Sequence, residues 1–535
     1  MTRNFVTRAG LEKSAGLLRK RSEFFSKASD FLRIVMEEYE MRDMKKNYSP
    51  LRIRSIRLNF ALNTIRTSLG FLVPLATFPY VSRVLGPENL GRVEFANSVV
   101  SYFVLFAALG IPMYGMREIA RVRGDAMARS STVLELGIIL SLSVAASYIA
   151  YFPIVFLVPQ LKAEATLLFI AAPTIFLTDL SFDWFYVGIE DQLYITVRYL
   201  ITKFIQVAAL FLLVHDTNDL YIYAAINVGL SSVSTVFNMA RLRKYQTKVP
   251  LKGLNFGRHI KPALCIFAAQ VATSVYMSLD VTMLGLIRTK EEVGVYTAAN
   301  RIVRIVISVV TSFSAVIVPR IENALKEGDF EGYKACLEKS LRFTLILALP
   351  CLAGLEVVSD DLIAVFAGDK YEGAVIAVRM LSPVVLIVGL ANFVGLQVLF
   401  ANRRESMYTF AVSVAAICNF VSNALLIPRL GLYGAILGTL IAECVGLLVE
   451  GIAARGFLRD ADLRVQVWKY VVAVALMCAA VFGLKWLCED VARIARLALC
   501  VGSGAVVYVA VLLAVSEKMS IGILRSAMRR VGRGR

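Results

Sequence analysis

Four basic side chains, Arg66, Lys203, Arg301 and Arg304, lie inside strongly apolar stretches of the sequence. A charge in the middle of a membrane costs about 2.5–3.5 kcal/mol on insertion scales, so such residues face a wet cavity or a partner. They belong to polar stripes at helical spacing. Asn59, Asn63, Arg66 and Gly70 form one stripe; Glu94, Asn97, Ser98 and Ser101 form a second; Gln270, Thr273, Ser274, Met277 and Asp280 form a third; Asn300, Arg301, Arg304, Ser308 and Thr311 form a fourth. Asp179, Asp183 and Tyr186, then Arg198, Thr202, Lys203 and Gln206, continue the pattern. The acids Asp179, Asp183 and Asp280 do not comfortably neutralise the cations, and the surplus positive charge calls for an anionic cargo group. Guanidinium suits phosphate, which it holds through two parallel charge-assisted hydrogen bonds. The competing reading is that these residues glue helices together, with Asp280 paired to Arg301 or Arg304 and no cavity between them. Arg198 and Arg379 lie near helix ends, where snorkelling to the interface is the simpler fate.

The elements that position these residues follow from composition. Of 535 residues, 58% are hydrophobic and only 18% charged, with a mean hydropathy of +0.66, so the solvent for most of the chain is lipid. Apolar stretches long enough to cross a bilayer recur near 58–83, 92–115, 130–158, 164–188, 193–214, 218–240, 259–288, 294–319, 340–358, 373–400, 406–427, 431–457, 467–488 and 495–516. The expected fold is an all-α polytopic membrane protein of about fourteen transmembrane helices. The formal charge of +18 does not require nucleic acid, because the basic residues sort by loop. Arg117, Arg121, Arg123 and Arg129, the 241–258 linker, Arg403 and Arg404, and Arg455, Arg459 and Arg464 fall on one side; Asp216, Asp219, Asp360, Asp361 and Asp369 fall on the other. The basic-side rule then puts both termini in the cytoplasm.

Residues 1–57 form a basic extension without the apolar core of a secretory signal. Leu17, Phe24, Ala28, Phe31, Val35 and Tyr39 could share one face of an interfacial helix, or the segment could be a solvated extension. Eight cysteines without a C-x-x-C pair and only two histidines, His215 and His259, point away from disulfides and zinc. There is no phosphate loop for ATP hydrolysis. Prolines at 74, 79, 112, 153, 173, 319, 350, 383 and 428 permit bends.

An internal repeat organises the rest. The segment from Leu90 to Val100 aligns with that from Val293 to Val303, matching Gly91 to Gly294 and Asn97 to Asn300. The copies run in the same direction, which implies two bundles related by an axis along the membrane normal. The expected division is 58–240 and 259–457 as pseudo-symmetric six-helix bundles, a basic linker 241–258, two extra helices at 467–516 and a basic tail 517–535.

The run from Tyr80 to Gly91 (YVSRVLGPENLG) and that from Asp183 to Glu190 (DWFYVGIE), followed by Arg198 and Lys203, resemble the Wzx-type polysaccharide flippases of the multidrug/oligosaccharidyl-lipid/polysaccharide exporter superfamily. The resemblance in helix order covers residues 58–516; the long leader departs from it. It implies a transporter, not an enzyme, that moves an undecaprenyl-diphosphate-linked oligosaccharide across a bacterial inner membrane for O-antigen, capsule or exopolysaccharide synthesis. Glycan polymerase and chain-length machinery would be its partners, besides membrane lipids. On that reading Arg66, Arg301, Arg304 and Lys203 accept the diphosphate, while Asn63, Asn97, Gln270 and Asn300 accept sugar hydroxyls. Asp280, Asp179 or Asp183 would take a coupling H+ or Na+, and no other cofactor is expected. The alternatives are a multidrug or small-molecule antiporter of the same superfamily, which should show an acidic and aromatic cavity, and a membrane glycan polymerase or ligase, which should carry a large outer loop.

Overall fold

The structure is a computed structural model that describes residues 56–250, 252–461, 463–517 and 519–521. The expected interfacial helix within 1–57 and most of the 517–535 tail lie outside these residues. Every regular element among them is helical.

The first helix, α1 (Ile56–Ala108), is 53 residues long, about 80 Å if straight, against a hydrocarbon core of roughly 30 Å. It therefore turns. Gly86, at φ 77° and ψ 174°, breaks it into two legs, and the Gly86–Pro87 step supplies both the positive φ and a residue that needs no amide partner. A second break at Leu109 and Gly110, both at positive φ, starts α2 (Ile111–Val122). The Asp125 carboxylate then accepts from the amides of Met127 and Ala128 and caps α3 (Ala126–Leu157).

The crossing expected at 164–188 is present as one segment, Ala165–Gly188, built of three short helices: α4 (Ala165–Ala171), α5 (Pro173–Asp179) and α6 (Asp183–Gly188). Pro173 cannot donate to the preceding turn, and Phe182 stands at φ 53°, so the helical ladder is interrupted twice. α7 (Gln192–Leu213) and α8 (Leu220–Leu242) complete the N-terminal half. The C-terminal half holds α9 (Gly257–Ile287), α10 (Lys290–Thr311), α11 (Ser314–Glu327), α12 (Phe330–Phe366), α13 (Gly373–Asn392), a π-helix at Phe393–Phe400, α14 (Glu405–Leu430) and α15 (Leu432–Ala461). α16 (Val467–Leu487) and α17 (Arg493–Ala514) form a hairpin that packs on α12.

Twelve helical segments among the described residues are long and apolar enough to cross a membrane, and the chain is a multi-pass membrane protein. The first of these segments, Ala61–Val122, spans 62 residues and contains both legs of α1. The expected number of about fourteen thus holds approximately, the difference lying in how α1 and α9 are counted.

The basic linker is strapped to the N-terminal half. Arg129 donates to the Tyr245 carbonyl (3.2 Å), the Thr247 amide donates to Ser130 (2.9 Å), and Arg241 pairs with Asp191 (2.9 Å). The start of α9 is held there as well. The Glu135 carboxylate accepts from the Asn255 amide, from Arg258 and from His259 Nε2, and Tyr114 meets His259 Nδ1 at 2.9 Å. All eight cysteines are free thiols.

Candidate functional site

Helices α1 and α10 cross where the repeat places its glycines. A Cβ on Gly91 would collide with the Lys290 carbonyl oxygen and lie 2.7 Å from the Gly294 amide nitrogen; one on Gly294 would collide with the Pro87 carbonyl. The two copies of the repeat are therefore not merely equivalent; they touch, backbone against backbone, on the membrane side opposite the linker.

Next to this crossing, side chains from the C-terminal half pack on Phe78 of the N-terminal half. Phe366 of α12 stacks on Phe78 of α1 at 4.9 Å between centroids. The Arg301 guanidinium also lies over the Phe78 ring, 4.6 Å from its centroid, and donates to Glu94 Oε1 at 2.9 Å. Arg83 adds hydrogen bonds to the carbonyls of Ala364 (3.3 Å) and Val365, and Thr282 donates to Ser98 at 2.9 Å. These contacts join the halves on the side away from the linker. One turn nearer the linker on the same two helices, Asn97 and Arg304 are exposed, and Asn300, next to Arg301, is half-buried.

The expected site residues fall into three groups. Arg301 is held in an ion pair across the halves, with Glu94; among the described residues no hydrogen bond links it to Arg66 or Lys203. Arg66, half-buried, donates to Asn63 Oδ1 on its own helix at 3.0 Å. Lys203 lies 5.7 Å from the Tyr199 ring centroid and donates to Gln206 (2.7 Å), which donates to Asn227 (2.7 Å). The Tyr199 hydroxyl stands 3.4 Å from where a Cβ on Gly70 would be, so it lies close to the Arg66 stripe. Gln270 is half-buried.

The acids separate more sharply. Asp183 is taken by Arg198 in a bidentate pair (2.7 and 3.1 Å) and by Asn238 (2.6 Å). That is a structural tie and leaves Asp183 poorly placed for a coupling ion. It also gives Arg198 a partner in place of the snorkelling expected for it; Arg379 likewise binds Asp360 at 2.8 Å. Asp179 is 2% exposed and its Oδ2 has no hydrogen-bond partner.

Asp280 does not pair with Arg301 or Arg304. Its Oδ1 accepts from Asn419 (3.0 Å) and Asn423 (2.6 Å), and its Oδ2 from Tyr296 (2.6 Å) and Thr439 (2.9 Å). This carboxylate, 7% exposed, is solvated by four neutral donors from three helices. Asn423 Oδ1 is itself buried without a partner, so the pocket has oxygen to spare for a small cation or a proton. The sequence shows Asp280 but not its shell, of which Tyr296 lies 16 residues away and the members on α14 and α15 lie 139 to 159 residues away. It also placed Glu94 on a stripe without finding Arg301 as its partner.

Comparisons with known proteins agree with this architecture. A family described as polysaccharide biosynthesis protein matches residues 56–324, and a second family, MatE, matches 265–439. A putative O-antigen transporter of Escherichia coli (strain K12) is 24% identical over 397 residues, 73% of this chain and 94% of that protein. A probable low-salt glycan biosynthesis flippase of Haloferax volcanii is 21% identical over 48% of this chain and 52% of its own length. Among solved structures, the lipid II flippase MurJ in an inward closed conformation superposes with a TM-score of 0.66 at 16% identity, covering 84% of this chain and 98% of that one. A multidrug resistance MATE family transporter in an inward-facing conformation gives 0.60 at 16% identity, covering 75% and 98%. The fold is thus that of the MurJ and MATE transporters, and with half of its length matched by the family, the chain belongs to the polysaccharide biosynthesis protein family, in keeping with the Wzx-type motifs at Tyr80–Gly91 and Asp183–Glu190.

Proposed function

We propose that this protein is a flippase that carries an undecaprenyl-diphosphate-linked oligosaccharide across the bacterial inner membrane by alternating access, for O-antigen, capsule or exopolysaccharide synthesis. The observation that carries the reading is the Glu94–Arg301 bridge, whose guanidinium lies over Phe78. It binds the two halves on the side away from the basic linker, and Asn97 and Arg304 stand exposed directly on its linker side. With the linker and both termini in the cytoplasm, this is the state that receives cargo from within.

A diphosphate arriving there meets Arg304 first and then competes with Glu94 for Arg301. Two phosphates offer more charge and more acceptors than one carboxylate, so capture weakens the bridge that keeps the outer side shut. Arg66 and Lys203 supply further cations from α1 and α7, while Asn63, Asn97, Gln270 and Asn300 offer amides to sugar hydroxyls. The Asp280 pocket takes H+ or Na+ as the coupling ion. Glycan polymerase and chain-length proteins are the partners this role would have.

The relatives named as glycan and O-antigen transporters support the cargo class. The MatE match favours the rival, a multidrug antiporter, but a pump for cationic drugs should expose acids to its cargo, and the exposed charge beside the bridge is Arg304. The test is surface glycan in cells carrying Arg301→Ala or Arg304→Ala, with membrane insertion checked in parallel. Loss of export with normal insertion is expected; normal glycan in both variants would overturn the diphosphate role.

A further inference from the structure

The antiparallel helices α14 and α15 are joined by the single residue Gly431 and face each other along their whole length. On α15, Thr439, Glu443, Gly446 and Glu450 recur at spacings of 4, 3 and 4 and so share one face. On α14, Asn423, Asn419, Ala415 and Tyr408 do the same. At one end of this seam lies the Asp280 shell described above.

In the middle the seam is narrow: a Cβ on Gly446 would stand 3.2 Å from the Ala415 Cβ. At the linker end lies a second carboxyl, Glu450. Counting eleven residues from Thr439 puts it about 16 Å from the Asp280 pocket.

Glu450 is 4% exposed, its Oε2 is buried with no hydrogen-bond partner, and no cation pairs with it among the described residues. What faces it is the Tyr408 ring of α14, Glu443 on its own helix, and Gly395 in the π-helix. A Cβ at Gly395 would lie 2.9 Å from Glu450 Oε1 and 2.7 Å from the Tyr408 ring. An ionised carboxylate held there would be desolvated, unpaired and about two turns from another acid on the same face, a combination that proteins avoid by binding a proton or a ligand. The path between Glu450 and water is short, since Arg455 and Arg459 follow on the same helix toward the linker side. The adjoining π-helix Phe393–Phe400 is the kind of irregular turn that can change register, and its Gly395 is the residue on which the carboxyl rests.

We propose that Glu450 is a proton-binding site of this transporter, separate from the Asp280 pocket and at the linker-side end of the same seam. The carboxylate takes its proton from the aqueous phase on that side and is neutral while packed against Gly395 and Tyr408; it gives the proton back to the same phase when the π-helix moves away. Glu443, midway along the face, is the group through which the two acids sense each other.

The test is a proton count on the purified full-length protein without glycan cargo, so it does not depend on what the transporter carries. Glu450→Gln keeps the shape of the neutral acid and should bind about one proton fewer per chain than wild type on acidification from about pH 9 to 6, with an unchanged melting temperature. The infrared C=O band of a protonated buried carboxyl should shrink in the same variant at neutral pH, and Asp179→Asn serves as the control for the other unpartnered acid. If Glu450→Gln is not tolerated, Glu450→Ala removes the same proton and the same band. An unchanged proton count, or an unchanged infrared band, in the variant would overturn the proposal.

Discussion

Gly91 and Gly294 occupy matching places in the internal repeat and sit against each other's backbone at the crossing of α1 and α10. Each is packed so that a single methyl group would meet a carbonyl oxygen of the opposite half: Lys290 above Gly91, Pro87 above Gly294. The reciprocity is what a pseudo-two-fold axis between two half-molecules produces, and it makes the crossing a stop that exists only when the side away from the linker is shut.

Alanine at either glycine should therefore act on the conformational equilibrium more than on folding, because neither residue needs a positive φ within its own half. Overpacking of this kind costs about 1–3 kcal/mol, which corresponds to a shift of roughly 5- to 150-fold away from the closed arrangement. Spin-label or fluorophore distances between the outer ends of α1 and α10 should lengthen in Gly294→Ala, and transport should fall. Distances equal to those of wild type would show that the crossing does not limit closure.

The Glu94–Arg301 pair is a separate lock and can be tested apart from cargo. Both side chains are less than a third exposed, so screening is partial, and a coupling of about 0.5–3 kcal/mol is expected from a double-mutant cycle of Glu94→Gln and Arg301→Gln on the same distance readout. Glu94→Gln alone should loosen the outer side while leaving Arg301 free for phosphate. It should raise the affinity of the resting protein for inorganic diphosphate, whereas Arg301→Gln should lower it. Equal effects of the two variants on diphosphate binding would contradict competition between carboxylate and cargo.

How much of this was legible beforehand depends on the range of each interaction. Stripes at helical spacing are local, so Arg66, Arg301 and Asp280 stood out from their apolar surroundings. The repeat glycines were legible too, but only as equivalent positions; that equivalent positions touch is a property of packing across 203 residues of chain. The competing reading, in which Asp280 pairs with Arg301 or Arg304, fails for a similar reason. Arg301 lies nearby in sequence and opposite in charge, yet the carboxylate is satisfied by neutral donors on α14 and α15, and Arg301 is claimed by Glu94 207 residues away. The Asp183–Arg198 tie spans only 15 residues and closes around the turn after α6, a turn that the expected crossings at 164–188 and 193–214 leave room for; placing Arg198 at the interface is what hid the pair. Pro173 was noticed; the left-handed Phe182 has no signature in composition.

The Asp280 pocket predicts a cation dependence. Asp280→Asn replaces an acceptor with a donor-bearing amide among four donors, leaving at least one of them unsatisfied at about 1–3 kcal/mol. Reconstituted wild-type protein should transport at a rate that depends on Na+ or on a pH gradient, and Asp280→Asn should be slow and insensitive to both. Asn419→Asp, which adds a second carboxylate to the shell, should instead tighten cation binding. If wild type responds to neither ion and Asp280→Asn is as fast, the pocket serves packing alone.

A last prediction concerns how α16 and α17 stay attached. Glu517, just past α17 and 1% exposed, is bound by Tyr470 of α16 (3.1 Å), by the amide and hydroxyl of Ser520 (2.7 and 3.0 Å) and by Arg342 of α12 (3.4 Å). Burial pushes its carboxyl up, but the amides of Ser520 and Met519 and the two hydroxyls outweigh that and hold it below the ordinary carboxylate range. A depressed value means that the docked state binds the proton more weakly than the undocked one. The contribution to attachment is then complete above the ordinary value of about 4 and is lost as pH falls through the depressed value. Hydrogen exchange across residues 467–514 should therefore rise on strong acidification of wild type, while Glu517→Gln should exchange faster already at neutral pH and lose the acid step. An acid step of the same size in Glu517→Gln would assign it to another group, and the tie to Arg342 and Tyr470 would then not be what fastens the hairpin to α12.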